Sequence, residues 1–206
     1  MVYFLAFLTS YIVGSLNFAV WISKKKGVDL FTNGSGNPGA TNVKRLMGSF
    51  WGNLVFIFDF LKGVAAVYLV VSFNLNYESN MEWLRIIALL GVIVGHTNSF
   101  LIKFKGGKGV ATSMGGIFAI MPEVLFVGIL IWLTTFFITK VVALGSLFFA
   151  FSLPFSVYIF HQNEENIFIL RLWVSIVIAV IIILRHYRNI IRLLKGDEFK
   201  FTGKSK

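Results

Sequence analysis

Residues 2–22 of this chain run without a charged side chain. Six further apolar stretches follow at about Trp51–Phe73, Trp83–Ile102, Val110–Met121, Val124–Thr139, Val141–Phe160 and Ile167–Leu184. A helix needs about 20 apolar residues to cross a bilayer. With no water in the lipid core, the backbone must satisfy its own polar groups, and a helix does so within one segment. The pattern therefore predicts an all-α, polytopic integral membrane protein of about seven transmembrane helices. Composition agrees, with 57% of the 206 residues hydrophobic and 14% charged, where a soluble domain carries about a quarter charged. This excludes an ordinary cytosolic globule, a disordered tail and a secreted disulfide scaffold. The absence of cysteine also removes thiolate nucleophiles and Cys-based metal sites.

Charge alternates along the connecting segments. Residues 24–49, 103–108, 140 and 185–206 hold 16 of the 19 lysines and arginines, while 74–82, 122–123 and 161–166 hold none. The second set carries Glu78, Glu82, Glu123, Glu164 and Glu165. Basic loops stay in the cytoplasm, so the expected topology has the N-terminus outside and the C-terminus inside. No basic n-region precedes the first stretch and no small-residue cleavage site follows it, which points to a retained helix rather than a signal peptide. Val110–Met121 is short for a span. A glycine-rich loop precedes it and Pro122 closes it, so a short or re-entrant helix is expected at 110–121. No repeat or long linker divides the chain, and residues 1–206 read as one membrane-embedded domain.

Three polar clusters fall on the predicted cytoplasmic side. The first is Gly34-Ser35-Gly36-Asn37-Pro38-Gly39-Ala40-Thr41-Asn42, followed by Lys44 and Arg45. Gly, Ser, Asn and Pro are ordinary turn residues. Three glycines beside four hydrogen-bonding side chains and two cations also suit an anion, because glycines let backbone N–H groups close around oxygen atoms and Arg45 offers a bidentate contact. The second cluster is Gly95-His96-Thr97-Asn98-Ser99, then Lys103, Phe104 and Lys105-Gly106-Gly107-Lys108-Gly109. Lysines snorkelling to headgroups would explain the cations but not the glycines between them. No Walker frame fits, since Gly109 follows Lys108. The third, Arg185-His186-Tyr187-Arg188-Asn189 through Arg192 to Glu198, ends the last helix. On a continuous helix Arg185, His186, Arg188, Asn189 and Arg192 share one arc. A juxtamembrane helix on anionic lipid accounts for the arginines and leaves His186 and Asn189 unexplained.

Inside the second span, Asp59 and Lys62 at i and i+3 read as an internal ion pair. Asn17 and Asn53 read as interhelical hydrogen-bonders. No two histidines share a metal-ligand spacing, and none of His96, His161 and His186 has an Asp five positions on, so neither a metal nor a His-x4-Asp acyltransferase site is expected. No Asp completes a Ser-His-Asp relay. The chain is rich in anion binders and poor in general bases.

The three clusters resemble the cytoplasmic motifs of the bacterial acyl-phosphate:glycerol-3-phosphate acyltransferases. The resemblance is carried by Gly34–Asn42 with Arg45, by Gly95-His96 with Phe104–Thr112, and by Arg185-His186 with Asn189, Arg192, Gly196 and Glu198. Gly14-Ser15 and Asp59-x-x-Lys62-Gly63 fit the same family, with Asn17 departing where many relatives carry Pro. The resemblance implies a seven-helix enzyme of the bacterial cytoplasmic (inner) membrane, with its site on the cytoplasmic side. It would transfer an acyl group from acyl phosphate to the 1-hydroxyl of glycerol 3-phosphate, giving lysophosphatidic acid and inorganic phosphate. It implies catalytic roles for Ser35, Arg45, Lys105, His186 and Asn189, which would hold glycerol 3-phosphate. Substrate-binding roles fall to Gly36, Asn37, Gly39, Thr41, Asn42, His96, Gly106, Gly107, Lys108, Gly109 and Arg192. Acyl phosphate, glycerol 3-phosphate and membrane lipid are the implied partners, with no nucleic acid and no cofactor, and a monomer is compatible with them. An acyl phosphate is already activated, so positioning supplies much of the rate and the leaving phosphate can take the proton. His186 as general base is the competing mechanism. A transporter for phosphate or a phosphorylated metabolite is the rival class. Against it, the basic residues gather on one side and no inverted repeat is visible.

Overall fold

The computed structural model describes residues 1–73, 81–164 and 167–201, so Glu78 and Glu165 of the expected acidic loops lie outside the described residues. The described residues are helical, with no strand among them. Six helical stretches are long and apolar enough to cross a membrane: Val2–Lys25, Ser49–Phe73, Met81–Ile102, Pro122–Thr139, Val142–His161 and Phe168–Arg185. A seventh, Val110–Ile120, is apolar but shorter. The chain is a multi-pass membrane protein. It comprises two compact units, Met1–Ile120 and Met121–Lys206.

The first unit contains α1 (Val2–Ser15), α2 (Phe18–Lys25), α3 (Ala40–Met47), α4 (Ser49–Phe73), α5 (Met81–Thr97) and α6 (Val110–Ile120). The first span is not the unbroken helix its apolar run predicts. Leu16 is extended, and Asn17 starts a new helix by accepting a hydrogen bond from the Val20 N–H at 2.9 Å. Asn17 is thus a helix cap, and its amide also donates to the Pro38 carbonyl at 3.4 Å. Asn53 is exposed, so it is not the buried interhelical contact expected of it.

Helices α1 and α5 meet backbone to backbone. A Cβ on Gly14 would strike the Val92 carbonyl, and one on Gly95 the Tyr11 carbonyl. Small residues at such crossings replace the hydrophobic drive that lipid cannot supply. The Tyr11 hydroxyl donates to the Asn98 carbonyl at 2.9 Å, and the Ser99 hydroxyl to the Ser15 carbonyl at 2.7 Å. Buried Ala19, Leu30, Val43 and Val55 knit α2, the following loop, α3 and α4 together.

The second unit contains α7 (Pro122–Thr139), α8 (Val142–His161), α9 (Phe168–Arg185) and α10 (Tyr187–Leu194). Pro122 stands at the first turn of α7, where its missing N–H costs nothing. At one end of this unit His161 meets Glu123 at 2.7 Å and Glu164 at 2.8 Å, and Arg171 meets Glu164 at 3.1 Å. At the other end the Phe201 N–H donates to the Lys140 carbonyl at 2.8 Å. Large apolar side chains such as Phe4, Phe118, Phe155 and Trp173 are exposed around the helices, as a lipid-facing surface requires.

Candidate active site

The first polar cluster folds as a loop tied to the start of α3. Gly34 and Gly36 take φ of +63° and +70°, which glycine adopts without penalty. Asn42, one turn into α3, is buried. Its amide donates to the Leu30 carbonyl at 3.2 Å and the Asn33 carbonyl at 3.1 Å, and its oxygen accepts the Ser35 N–H at 2.9 Å. These three bonds commit the side chain to organising the loop. The Gly36 and Gly39 N–H groups also bond within it, to Asn33 and Asn37. The donors left at the mouth of α3 are the first-turn N–H groups of Ala40 and Thr41, reinforced by the helix dipole. Ser35, Asn37, Thr41 and Arg45 are all partly exposed around this mouth. Just upstream, Asp29 accepts from the Phe31 N–H at 2.8 Å and the Thr32 hydroxyl at 3.0 Å, bonds that hold its carboxyl below the usual range. A cleft of about 330 Å³ beside this loop, reaching Val20, Lys24, Val28 and Phe31, contains none of the predicted site residues.

The second cluster wraps over the end of α5. The Gly106 N–H donates to the Thr97 carbonyl and the Gly107 N–H to the His96 carbonyl, each at 3.1 Å. Those two amides cap the end of α5, whereas the resemblance implies that they face an anion. Gly106 and Gly107 are instead required for close approach, since a Cβ on Gly107 would run into the His96 imidazole. Lys105 is exposed and Lys108 partly so, while Gly109 (φ +88°) leads into α6. Lys103 and Phe104 both sit at positive φ, 54° and 60°, a left-handed conformation uncommon for non-glycine residues.

His96, which the resemblance implies as a substrate-binding residue, is buried. Its Nδ1 faces Asp59 Oδ1 at 3.5 Å, and the same oxygen pairs with Lys62 Nζ at 2.8 Å. Lys62 also donates to the Leu16 carbonyl at 2.7 Å, where the break in the first span frees that acceptor. The expected Asp59–Lys62 ion pair is present, and it serves a backbone defect in addition.

In the second unit the third cluster is not one continuous arc. The helix breaks at His186, whose backbone leaves helical values and whose Nδ1 lies 2.8 Å from the Ile182 carbonyl. His186 and Asn189 are buried. The Asn189 amide donates to Glu198 at 2.9 Å, and the Arg192 guanidinium donates to the other Glu198 oxygen at 2.8 Å. Arg188 leaves this group, being exposed and hydrogen-bonded to the Tyr187 hydroxyl at 2.7 Å.

Each unit thus presents a cation-rich polar surface in which one acid, Asp59 in the first and Glu198 in the second, is buried against its partners. The family description "Glycerol-3-phosphate acyltransferase" matches residues 4–196. The glycerol-3-phosphate acyltransferase of Fusobacterium nucleatum is 40% identical over 202 residues, covering 98% of this chain and 99% of that protein. This chain belongs to the glycerol-3-phosphate acyltransferase family.

The Aquifex aeolicus member is likewise 40% identical, covering 93% of this chain and 95% of that one. The crystal structure of PlsY (YgiH), an integral membrane glycerol 3-phosphate acyltransferase in its glycerol 3-phosphate form, aligns with a TM-score of 0.84. It is 37% identical and covers 97% of this chain and 95% of that chain. The lysophosphatidic acid form aligns at 0.83. Membership of an acyltransferase family answers the choice between transferase and transporter, and phospholipid biosynthesis follows from it. Sequence reasoning matched Glu198 to the third motif but assigned it no role, and in the structure it braces Asn189 and Arg192. The available signal was an acid a few positions beyond an Asn/Arg pair, after a helix-ending glycine.

Proposed function

We propose that this acyltransferase uses acyl phosphate as donor and glycerol 3-phosphate as acceptor, at the cytoplasmic face of the bacterial inner membrane. The 1-hydroxyl oxygen attacks the acyl carbon, the bond from that carbon to the phosphate oxygen breaks, and the hydroxyl proton passes to the departing phosphate. The products are lysophosphatidic acid and inorganic phosphate. The observation that carries this reading is the state of the acids in the first unit. Among the described residues, Asp29 is held by a turn, Asp59 by Lys62, and Glu82 lies 3.5 Å from Arg85. No carboxylate there is disposed as a base, which suits a reaction whose leaving group accepts the proton.

Arg45, Ser35 and Lys105, with His186 and Asn189, are assigned to glycerol 3-phosphate. The α3 mouth at Ala40–Thr41, with Gly36, Asn37 and Gly39 shaping it, and the Lys108–Gly109 backbone are assigned to the acyl phosphate. Lys108 and these amides would stabilise the developing oxyanion. Asn42, Gly106 and Gly107 then act as framework for those donors, and Arg192 steadies the third motif through Glu198. Residues 1–206 work as one functional domain, with seven crossings and the N-terminus outside.

The test uses purified protein in detergent with palmitoyl phosphate and glycerol 3-phosphate, following phosphate release and lysophosphatidic acid together. One-to-one formation of both products is expected, lost in Arg45→Ala and absent with palmitoyl-CoA. Transfer from the thioester at a comparable rate would refute the donor assignment. His186→Ala separates the two proton acceptors: if His186 is the general base, its loss removes the acid limb of the kcat profile, whereas the substrate-assisted route leaves the profile's shape unchanged.

A further inference from the structure

We infer that Asp59, Lys62 and His96 are positioning residues that set the Gly106–Gly109 loop, a deepening that rests on the acyl-phosphate assignment above. Their contacts form one path. Lys62 on α4 bonds to the freed Leu16 carbonyl at 2.7 Å and to Asp59 at 2.8 Å. The Asp59 oxygen that meets Lys62 also faces His96 Nδ1 on α5 at 3.5 Å. The far side of that imidazole, Nε2, fills the space a Cβ on Gly107 would occupy, and the His96 carbonyl takes the Gly107 N–H at 3.1 Å. All three side chains are buried.

An ion pair inside a span is costly, and an apolar pair of similar volume would hold two helices as well or better. The network therefore does something that apolar packing does not. It fixes the rotation of an imidazole, because Nδ1 is drawn to a carboxylate that is itself held by an ammonium. That rotation fixes the height of Gly107. Lys108 and Gly109, assigned above to the acyl phosphate, follow Gly107 directly. A displacement of 1 Å at such a point costs roughly a hundredfold in rate.

Steady-state kinetics of the full chain in detergent, varying palmitoyl phosphate and glycerol 3-phosphate independently, tests this. His96→Ala is expected to raise the KM for palmitoyl phosphate by about tenfold with the KM for glycerol 3-phosphate little changed. Gly107→Ala alone should lose about a hundredfold in kcat/KM. The double variant should be no worse than His96→Ala, since removing the imidazole makes room for the new methyl group. Multiplying defects would overturn the inference. The paired substitution Asp59→Asn with Lys62→Met removes the charges together, so no buried charge is stranded; a folded, monodisperse pair with unchanged KM for palmitoyl phosphate would also overturn it. Hydrogen exchange of residues 104–109 gives a readout independent of the donor. Faster exchange there in His96→Ala and in the Asp59/Lys62 pair, with residues 121–201 unchanged, is expected even if the wild type rejects acyl phosphate. Unchanged exchange would sink the inference, whereas a wild type inactive with palmitoyl phosphate would sink only the donor assignment.

Discussion

His96 and His161 are both buried histidines beside a carboxylate and a cation, and they are used in opposite ways. His96 lies beneath a loop, with its acid and cation three residues apart on α4 and both nearly sealed from water. His161 closes a helix end, with Glu123 from α7, Glu164 from the following turn and Arg171 from α9 around it, and Glu164 is 42% exposed. Sealing makes each charge in the first group dependent on its partner, because water cannot replace a lost neighbour. At His161 water can. Similar side chains thus make a rigid support in one unit and a replaceable clasp in the other.

The largest expected effect is on stability. Lys62→Ala leaves Asp59 buried without its ammonium and should cost about 3–5 kcal/mol, read as a fall in Tm or loss of monodisperse protein. Arg171→Ala, beside an exposed acid, should cost no more than about 1 kcal/mol; equal losses would erase the distinction between the two sites. Next, Glu198→Gln keeps the shape of the third motif while weakening the charge-assisted bond from Arg192, and should lower kcat/KM by about tenfold. Glu198→Ala should lower it further, and activity assays of the two variants check this order. A smaller effect concerns pH. The bond from His161, and secondarily Arg171, holds the Glu164 carboxyl below its ordinary value of 4.5. A depressed acid stabilises the fold above its unfolded pKa, and that contribution disappears as pH falls through the folded value. The Tm gap between wild type and Glu164→Gln should therefore be present at neutral pH and close below about pH 4.5. Smallest of all, Asp29→Asn should barely move Tm at neutral pH, since that turn is exposed.

Much of this was legible in the sequence, and the misses have physical causes. Apolar runs announced the spans because their signal is a sum over about 20 residues. The break at Leu16–Asn17 was hidden because no Pro or Gly marks it. It depends on Lys62, 46 positions away, to satisfy the freed carbonyl. The glycine loops were visible as composition, but glycine serves either donor presentation or close approach, and only the partners of the Gly106 and Gly107 amides separate the two. Likewise a helical wheel placed Arg188 with Arg192, because it had no means of showing that the helix stops and restarts at His186. Ser35, Arg45, Lys105 and Lys108 occupy exposed or partly exposed loop and helix-end positions, where residue type is set by chemistry rather than by packing.

The shortness of α6 has a bearing on how an oily donor meets a water-soluble acceptor. Its 11 residues reach about 16 Å at 1.5 Å each, roughly half of the 30 Å hydrocarbon slab. It is therefore too short to cross that slab by itself, and the end fed by the glycine-lysine loop is the one furnished with polar groups. Were such a loop to lie at membrane depth, headgroups and water would dip toward it and thin the leaflet around it. A fatty chain whose reactive carbonyl lies at that depth need not be lifted out of the bilayer, and the polar acceptor travels the remaining distance.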